Sequence, residues 1–524
     1  MRLFIKSLVA ATALAGTLAS SAAFAETCGN KGGTLVSVLF QTPRHLNPAV
    51  QSGVVTGALG AQLFATPLRY TDGWEAEPYL AESVTTSDDG LEVTIKLKDA
   101  NFHDGKPITS EDVKFSVEMI KANHPFKTMF GPVESVETPD AKTAVLKLSQ
   151  PHPALMLAMS SQLMAIIPKH VYGDGQDIKS HPQNSENVVG SGPFKLKEFK
   201  RDQHVILERN EDYFMDPPCL DGIVLRIIKD QSAASIGLEN GELHMATFMN
   251  TVRNIKRLEK ADGINVTSDG YAAIGALDWL AFNTKKGPLA DKRVRQAIAY
   301  AVDKKFILNA LMQGLAQEAK GPIHPGSPLA AEGLPGYDVD LEKAAALLDE
   351  AGYPMKDGKR MDLSINFGWP SIKPQAEYIK AALKKVGIEV SVKASPDFPT
   401  WAKTISTHDF DMTMDTVFNW GDPVIGVHRT YDSDNIKKGV IWSNTQQYEN
   451  ARVDELMEMA GKETDPEKRK ALYMEFQQIV ADELPVYWLN TLPYHTVYSD
   501  KVGNPVKGIW ASSSPMDRVY LKAE

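Results

Sequence analysis

The residues able to do chemistry in this chain are cations and aromatic plates rather than a catalytic constellation. Arg429 can hold a carboxylate or phosphate bidentately, because its planar guanidinium matches two acceptor oxygens. A surface ion pair explains it equally well. Trp420 is an amphipathic plate suited to stacking on a sugar face or an apolar side chain, with packing inside a core as the competing explanation. Trp369, Trp401 and Trp442 are further aromatic candidates, each of a type found more often in cores than on ligands. Gln41 to His45 follows a strand-like run, the place where α/β sheets present ligand contacts, and Arg44 is the contact expected there.

Motifs for catalysis are missing. No Walker A loop, HExxH pair, GxSxG elbow or EF-hand loop occurs. Gly190-Ser191-Gly192 runs into Pro193-Phe194, which is a turn entering a strand and not a phosphate cradle. The 12 His are dispersed: His45, His103 and His244 sit in unrelated segments, and His428 stands beside Arg429 without a spaced partner. No metal site and no cofactor are expected from such spacing. Distant carboxylates can still converge in a fold, so an exported hydrolase is the enzyme alternative.

The elements that must position these groups alternate between strands and helices. Leu91 to Leu97 alternates apolar and polar residues with period two, which predicts a half-buried strand. An Asp104-Gly105 turn follows, and Thr109 with Asp112 forms a capping-box variant opening a helix through Ile120. Val145–Leu148 and Val205–Leu207 read as further strands. Val294, Ile298 and Val302, with Ala297 and Ala301, make one face of a helix bounded by Gly314. Asp340 caps a helix carrying Ala344, Leu347, Leu348 and Ala351, which Gly352 ends. Ile379, Leu383 and Val386 precede Gly387 in the same manner, and Ile388 to Val392 reads as a strand. Asp465-Pro466 starts a long helix through Leu472, Phe476 and Ile479, stopped near Pro485. The alternation indicates α/β domains.

The chain's 524 residues exceed what one core usually serves. Its first 25 residues read as an export signal: Arg2 and Lys6, an Ala-rich apolar run from Leu8 to Leu18, then Ala23-Phe24-Ala25 as the cleavage site. Cys28 follows Glu26-Thr27 rather than small residues, so no lipid anchor is expected. A net charge of −10 argues against nucleic acid or an anionic membrane as partner. Cys28 and Cys219 are the only two cysteines, and export favours joining them in one disulfide. The loop so closed is worth roughly 5 kcal/mol at most. No CxxC accompanies them, which weakens a metal reading.

Several long stretches together resemble one family. Asn101-Phe102-His103-Asp104-Gly105-Lys106-Pro107 running into Thr109–Val113, the Gly190-Ser191-Gly192-Pro193-Phe194 turn, and Asn210-Glu211-Asp212-Tyr213 are similar to signatures of dipeptide/oligopeptide/nickel-binding proteins of ABC transporters, the extracellular solute-binding family 5. Leu220–Ile223, Leu238–Glu242, Ala281–Thr284, Pro288–Asp291 and Arg293–Ala297 follow in the family's order. Within the last of these, Arg293 and Arg295 are expected to face solvent while Val294 packs.

The resemblance implies an α/β, bilobed periplasmic-binding-protein fold of type II, in its large three-domain variant, with mixed sheets and a hinge cleft. Lobe I would comprise 26–75, 185–285 and 495–524, the inserted subdomain 76–184, and lobe II 286–494. The implied activity is capture of a small-molecule ligand by hinge closure and delivery to an ABC permease in the inner membrane, by a periplasmic monomer, without catalysis. Chemosensing is the competing role for such a receptor.

Peptide-binding relatives hold the ligand's α-ammonium with an aspartate just before an Asp/Glu-Pro pair. Here the stretch is Val417-Phe418-Asn419-Trp420-Gly421-Asp422-Pro423, so Asn419 occupies that aspartate's place. An amide cannot neutralise a buried ammonium. Asp422 is the substitute candidate, and Lys373 sits where dipeptide binders carry one of a pair of arginines. The expected ligand is therefore an opine, a sugar–amino-acid conjugate or another modified amino acid, with a di- or oligopeptide as the alternative.

Overall fold

A computed structural model describes residues 28–160, 163–506 and 508–523. The expected export signal, with its cleavage site after Ala25, lies outside the described residues. Three sheets carry the chain. The first has seven strands in the order Ile264–Thr267, His495–Ser499, Met245–Met249, Thr34–Leu39, Gly222–Ile227, His204–Arg209 and Phe194–Lys200. Thr34–Leu39 lies at its centre, parallel to both neighbours, while the outer strands pair antiparallel. Val38 and Leu39 at its end are buried, as expected for a central parallel strand.

The second sheet is a four-stranded antiparallel one: Ala81–Thr86, Glu92–Leu97, Thr143–Leu148, Val133–Asp140. Its Glu92–Leu97 strand buries Val93, Ile95 and Leu97 and exposes the alternate residues, the period-two pattern read from sequence. Gly105 adopts φ +84°, which a side chain disfavours, at the turn expected there. The Thr109 N–H donates to Asp112 Oδ2 at 2.9 Å, opening the helix Ser110–Asn123.

The third sheet has the order Ile388–Ala394, Met361–Phe367, Met412–Phe418, Ala276–Phe282, Val486–Thr491. Its first three strands are parallel and the last two antiparallel. Ala276–Phe282 falls inside the segment assigned to lobe I from sequence, yet it pairs within this third sheet. Asp340 and Asp465 cap the helices Leu341–Glu350 and Pro466–Glu483 through their side chains, as their positions predicted. Cys28 and Cys219 are joined in a disulfide across 191 residues. Adjacent backbone bonds from Gly32 N to Cys219 O and from Cys219 N to Asp517 O tie both ends of the chain to this point.

Two sequence expectations are corrected. The helix through Val294 and Ile298 ends at Ala301, not near Gly314: Asp303 accepts from the Lys305 and Phe306 N–H groups and starts a separate helical segment. Arg295 is not in solvent. It is 5% exposed, and its guanidinium donates to the carbonyls of Leu289, Ala290, Glu483 and Leu484. A cation here satisfies the open carbonyls at the end of the Pro466–Glu483 helix. Arg293 matches expectation, half-exposed and paired with Asp291.

Candidate functional site

A cavity of about 440 Å³ opens between the first and third sheets. One wall is the end of Thr34–Leu39 with Phe40 and Gln41, the start of the helix Val54–Leu63, and Phe248. The facing wall comes from the ends of Met361–Phe367 and Met412–Phe418 and the loops beyond them: Trp369, Asp415, Phe418, Trp420 and Trp442. Leu492 and Tyr494, in the connection that returns the chain to the first sheet, close the rear. Ligand-lining residues at the carboxyl ends of parallel strands are the expected use of such sheets.

Trp369 and Trp442 are 39% and 44% exposed, unusual for indoles unless their faces serve a ligand. Each stacks on Phe398, at 5.5 Å with 28° between planes and at 5.7 Å with 26°. Both indole N–H groups point at one carboxylate: Trp369 Nε1 donates to Asp415 Oδ1 at 2.8 Å, and Trp442 Nε1 to Oδ2 at 3.3 Å. The Thr416 N–H adds a third bond, to Oδ1 at 2.8 Å. Burial pushes the Asp415 carboxyl up to about 7, against these three donors and with help from nearby Asp278. Asp278 itself is held by Thr416, Gln375 and Asn490, so its role is to tie the sheet together.

Arg429 is half-buried nearby and does not itself line the cavity. Its charge centre sits 5.4 Å over the Phe126 ring, and that ring packs against Trp420 at 5.3 Å. Its Nε donates to Gly426 O at 3.3 Å, and among the described residues neither Nη1 nor Nη2 has a protein acceptor. Burial lowers its pKa to about 10, with the Asp415 charge opposing, so it stays cationic at neutral pH.

Other expected contacts have different positions. Asn419 is 6% exposed and fully engaged: its Oδ1 accepts from His324 N at 2.7 Å and its Nδ2 donates to Pro322 O at 3.1 Å. Asp422 is locked in a bidentate pair with Arg469, at 2.8 and 2.9 Å, and accepts from Val424 N at the start of a helical turn. Burial alone would raise its pKa, but the Arg469 charge and these bonds hold it below the ordinary carboxylate value. Arg44 is exposed, with its carbonyl accepting from Arg201, and Lys373 is exposed at the first turn of the helix Lys373–Lys384. Neither lines the cavity. Trp401 is buried against Ile405 and Phe410, a core residue.

Asp415, Phe398, Phe248 and Tyr494 were not singled out by sequence. Asp415 had a readable signal, an acid among Met412, Met414 and Val417 in a strand otherwise fit for burial.

The cavity lies at a seam between the first and third sheets. Trp420 and Ile425, carried by the third sheet's lobe, pack into the core that otherwise belongs to the first sheet and the inserted one. At Gly421, with φ +81°, a Cβ would come 2.4 Å from Leu157 of the inserted segment, so the seam closes on a missing side chain. An α/β protein with a ligand-sized cavity between two sheets has the form of a solute-binding receptor. Residues 75–438 match the model of bacterial extracellular solute-binding proteins, family 5, and the chain belongs to that family. It is thus a substrate-binding component of an ABC importer.

Heme-binding protein A of Haemophilus influenzae is 30% identical, with 95% of this chain and 94% of that protein covered. The oligopeptide-binding protein AppA of Bacillus subtilis, solved with a nonapeptide, superposes with a TM-score of 0.78 at 25% identity, covering 94% of this chain and 99% of that one. AgaA from A. tumefacien R10, solved with agropinic acid, gives the same TM-score, identity and coverage. Among the described residues no helix is long and apolar enough to cross a membrane.

Proposed function

We propose that this protein, working as a periplasmic monomer after cleavage at Ala25, captures a small polar non-peptide solute and presents it to an inner-membrane permease. An opine, a sugar–amino-acid conjugate or another modified amino acid is the ligand class. The observation that carries this reading is Asn419. At the place where peptide-binding relatives hold an ammonium, this chain has an amide whose oxygen and nitrogen are both spent on residues 322–324. Asp422, the nearest substitute, is neutralised by Arg469. A buried α-ammonium would find no dedicated carboxylate at either position. The complex of AgaA with agropinic acid supports a modified amino acid on this scaffold, and the AppA nonapeptide complex supports the peptide alternative.

Thermal shift against plain dipeptides and their N-acetylated forms separates the two. The expected outcome is no stabilisation that depends on a free α-ammonium. Strong stabilisation by dipeptides, lost on acetylation, would give the peptide reading its place.

A further inference from the structure

The lining of the cavity combines aromatic plates with uncharged polar groups. Trp369 and Trp442 stand on it half-exposed, each stacked on Phe398 and each hydrogen-bonded through its indole N–H to Asp415. Indoles held at one edge and backed by a phenyl ring present a fixed apolar surface to whatever fills the space beside them. Full charge is scarce by contrast. Asp415 is the one carboxylate on the lining, and no Lys, Arg or His shares it. Its oxygens already accept three N–H bonds, so an ammonium finds little free acceptor there. An anion would meet a carboxylate with no side-chain countercharge on the lining. Neutral hydrogen-bonding groups make up the rest. Asn250 Oδ1 accepts from Gln231 Nε2 at 2.9 Å, which leaves the Asn250 Nδ2 donors unspent. The side chains of Gln41, Ser371 and Tyr494 likewise have no protein hydrogen-bond partner among the described residues. The helix Val54–Leu63 starts on the lining without a side-chain cap and adds backbone N–H donors. Flat apolar surface beside uncharged donors and acceptors matches a ring that is apolar on its face and hydroxylated at its rim.

We propose that the cavity takes the uncharged pyranose ring of a sugar or sugar conjugate, its apolar face stacked on Trp369 and Trp442 and its hydroxyls bonded to Gln41, Asn250 and Tyr494. This rests on the non-peptide reading above and narrows it to the sugar-bearing member of that class. The ring, rather than a carboxylate or an ammonium, is what the cavity recognises.

Calorimetric titration of the mature chain with the methyl pyranosides of glucose, galactose and mannose, with glucuronate and galacturonate, and with sorbitol tests it. At least one methyl pyranoside is expected to bind ten-fold or more tightly than either uronate, which adds a carboxylate, and than sorbitol, which has no ring face. W442A and W369A, both at half-exposed positions, should each weaken that pyranoside ten-fold or more. W442F, which keeps a smaller ring, should recover part. No binding of any of the three pyranosides, a uronate or sorbitol binding within ten-fold of the best of them, or W369A and W442A both equal to the natural protein would overturn the proposal. Dipeptides gripped by their ammonium would instead defeat the non-peptide reading, so failure of the sugars without dipeptide binding falls on this proposal alone.

Discussion

Two acid–base couples of the same lobe lie close together in sequence and do opposite things. Asp422 and Arg469 are bound to each other bidentately and buried. Asp415 and Arg429 feel each other's charge but share no bond. Each is turned elsewhere, the acid to two indoles and the base to the Gly426 carbonyl and the Phe126 ring. The lesson is that burial of a charge says little about function until its partners are counted. A mutually bonded pair is scaffold, whereas Asp415 spends its oxygens on the indoles that line the cavity.

The sharpest way to break this contrast is to remove each arginine. R469M strands the Asp422 carboxylate in the interior and is expected to cost about 3–5 kcal/mol, read as a fall in the denaturant midpoint. R429M gives up one long hydrogen bond and the contact over the Phe126 ring, and is expected to cost less, about 1–2 kcal/mol. Equal losses would erase the distinction between the two couples.

A second, smaller effect concerns Asn419. N419D restores the acid of peptide-binding relatives, but it removes the donor to Pro322 O and sets a carboxylate against that carbonyl. A loss of about 1–3 kcal/mol is expected, without any gain of dipeptide binding. If dipeptides then stabilise the variant, the site needs only the charge.

The third effect appears in the pH dependence of stability rather than its size at one pH. Folding raises the Asp415 pKa from 3.8 to about 7, so the folded state holds this proton more tightly. That stabilisation is complete below the unfolded value and is lost as pH climbs through about 7. Asparagine has no proton to lose, so D415N should gain on the natural protein between about pH 4 and pH 7 in parallel melts. Parallel melting curves for the two proteins across that window would contradict a buried, indole-bound carboxyl.

How much of this was readable beforehand depends on the range of the interaction. The Glu92–Leu97 strand, the Thr109–Asp112 cap and the Asp340 and Asp465 caps are decided within a few residues, and sequence shows them. The family's register located the stretch from Val417 to Pro423, but it could not show that Asp422 was already taken by an arginine 47 positions away. Arg295 was misread for the same reason: helical periodicity places it on a face, and only the packed end of the Pro466–Glu483 helix reveals what covers that face. At Val302 and Asp303 a local cap signal outweighed an apolar pattern that continues past it. Sequence offers Trp369, Trp401, Trp420 and Trp442 alike as aromatic candidates, and the structure puts three of them on the cavity and Trp401 in a core. Which of them face the cleft depended on Phe398 and Asp415, partners that composition cannot assign.

Three of the chain's eight tryptophans line the cavity between the first and third sheets. Trp74 apart, the others are buried in place: Trp279, Trp401, Trp488 and Trp510 sit in cores away from solvent. The fluorescence of this protein is therefore weighted toward its own cleft. Trp369 and Trp442, each hydrogen-bonded to a carboxylate and open on one face, will shift emission when a solute displaces water from those faces. Occupancy can thus be followed by light alone, without a label and before the solute has a name.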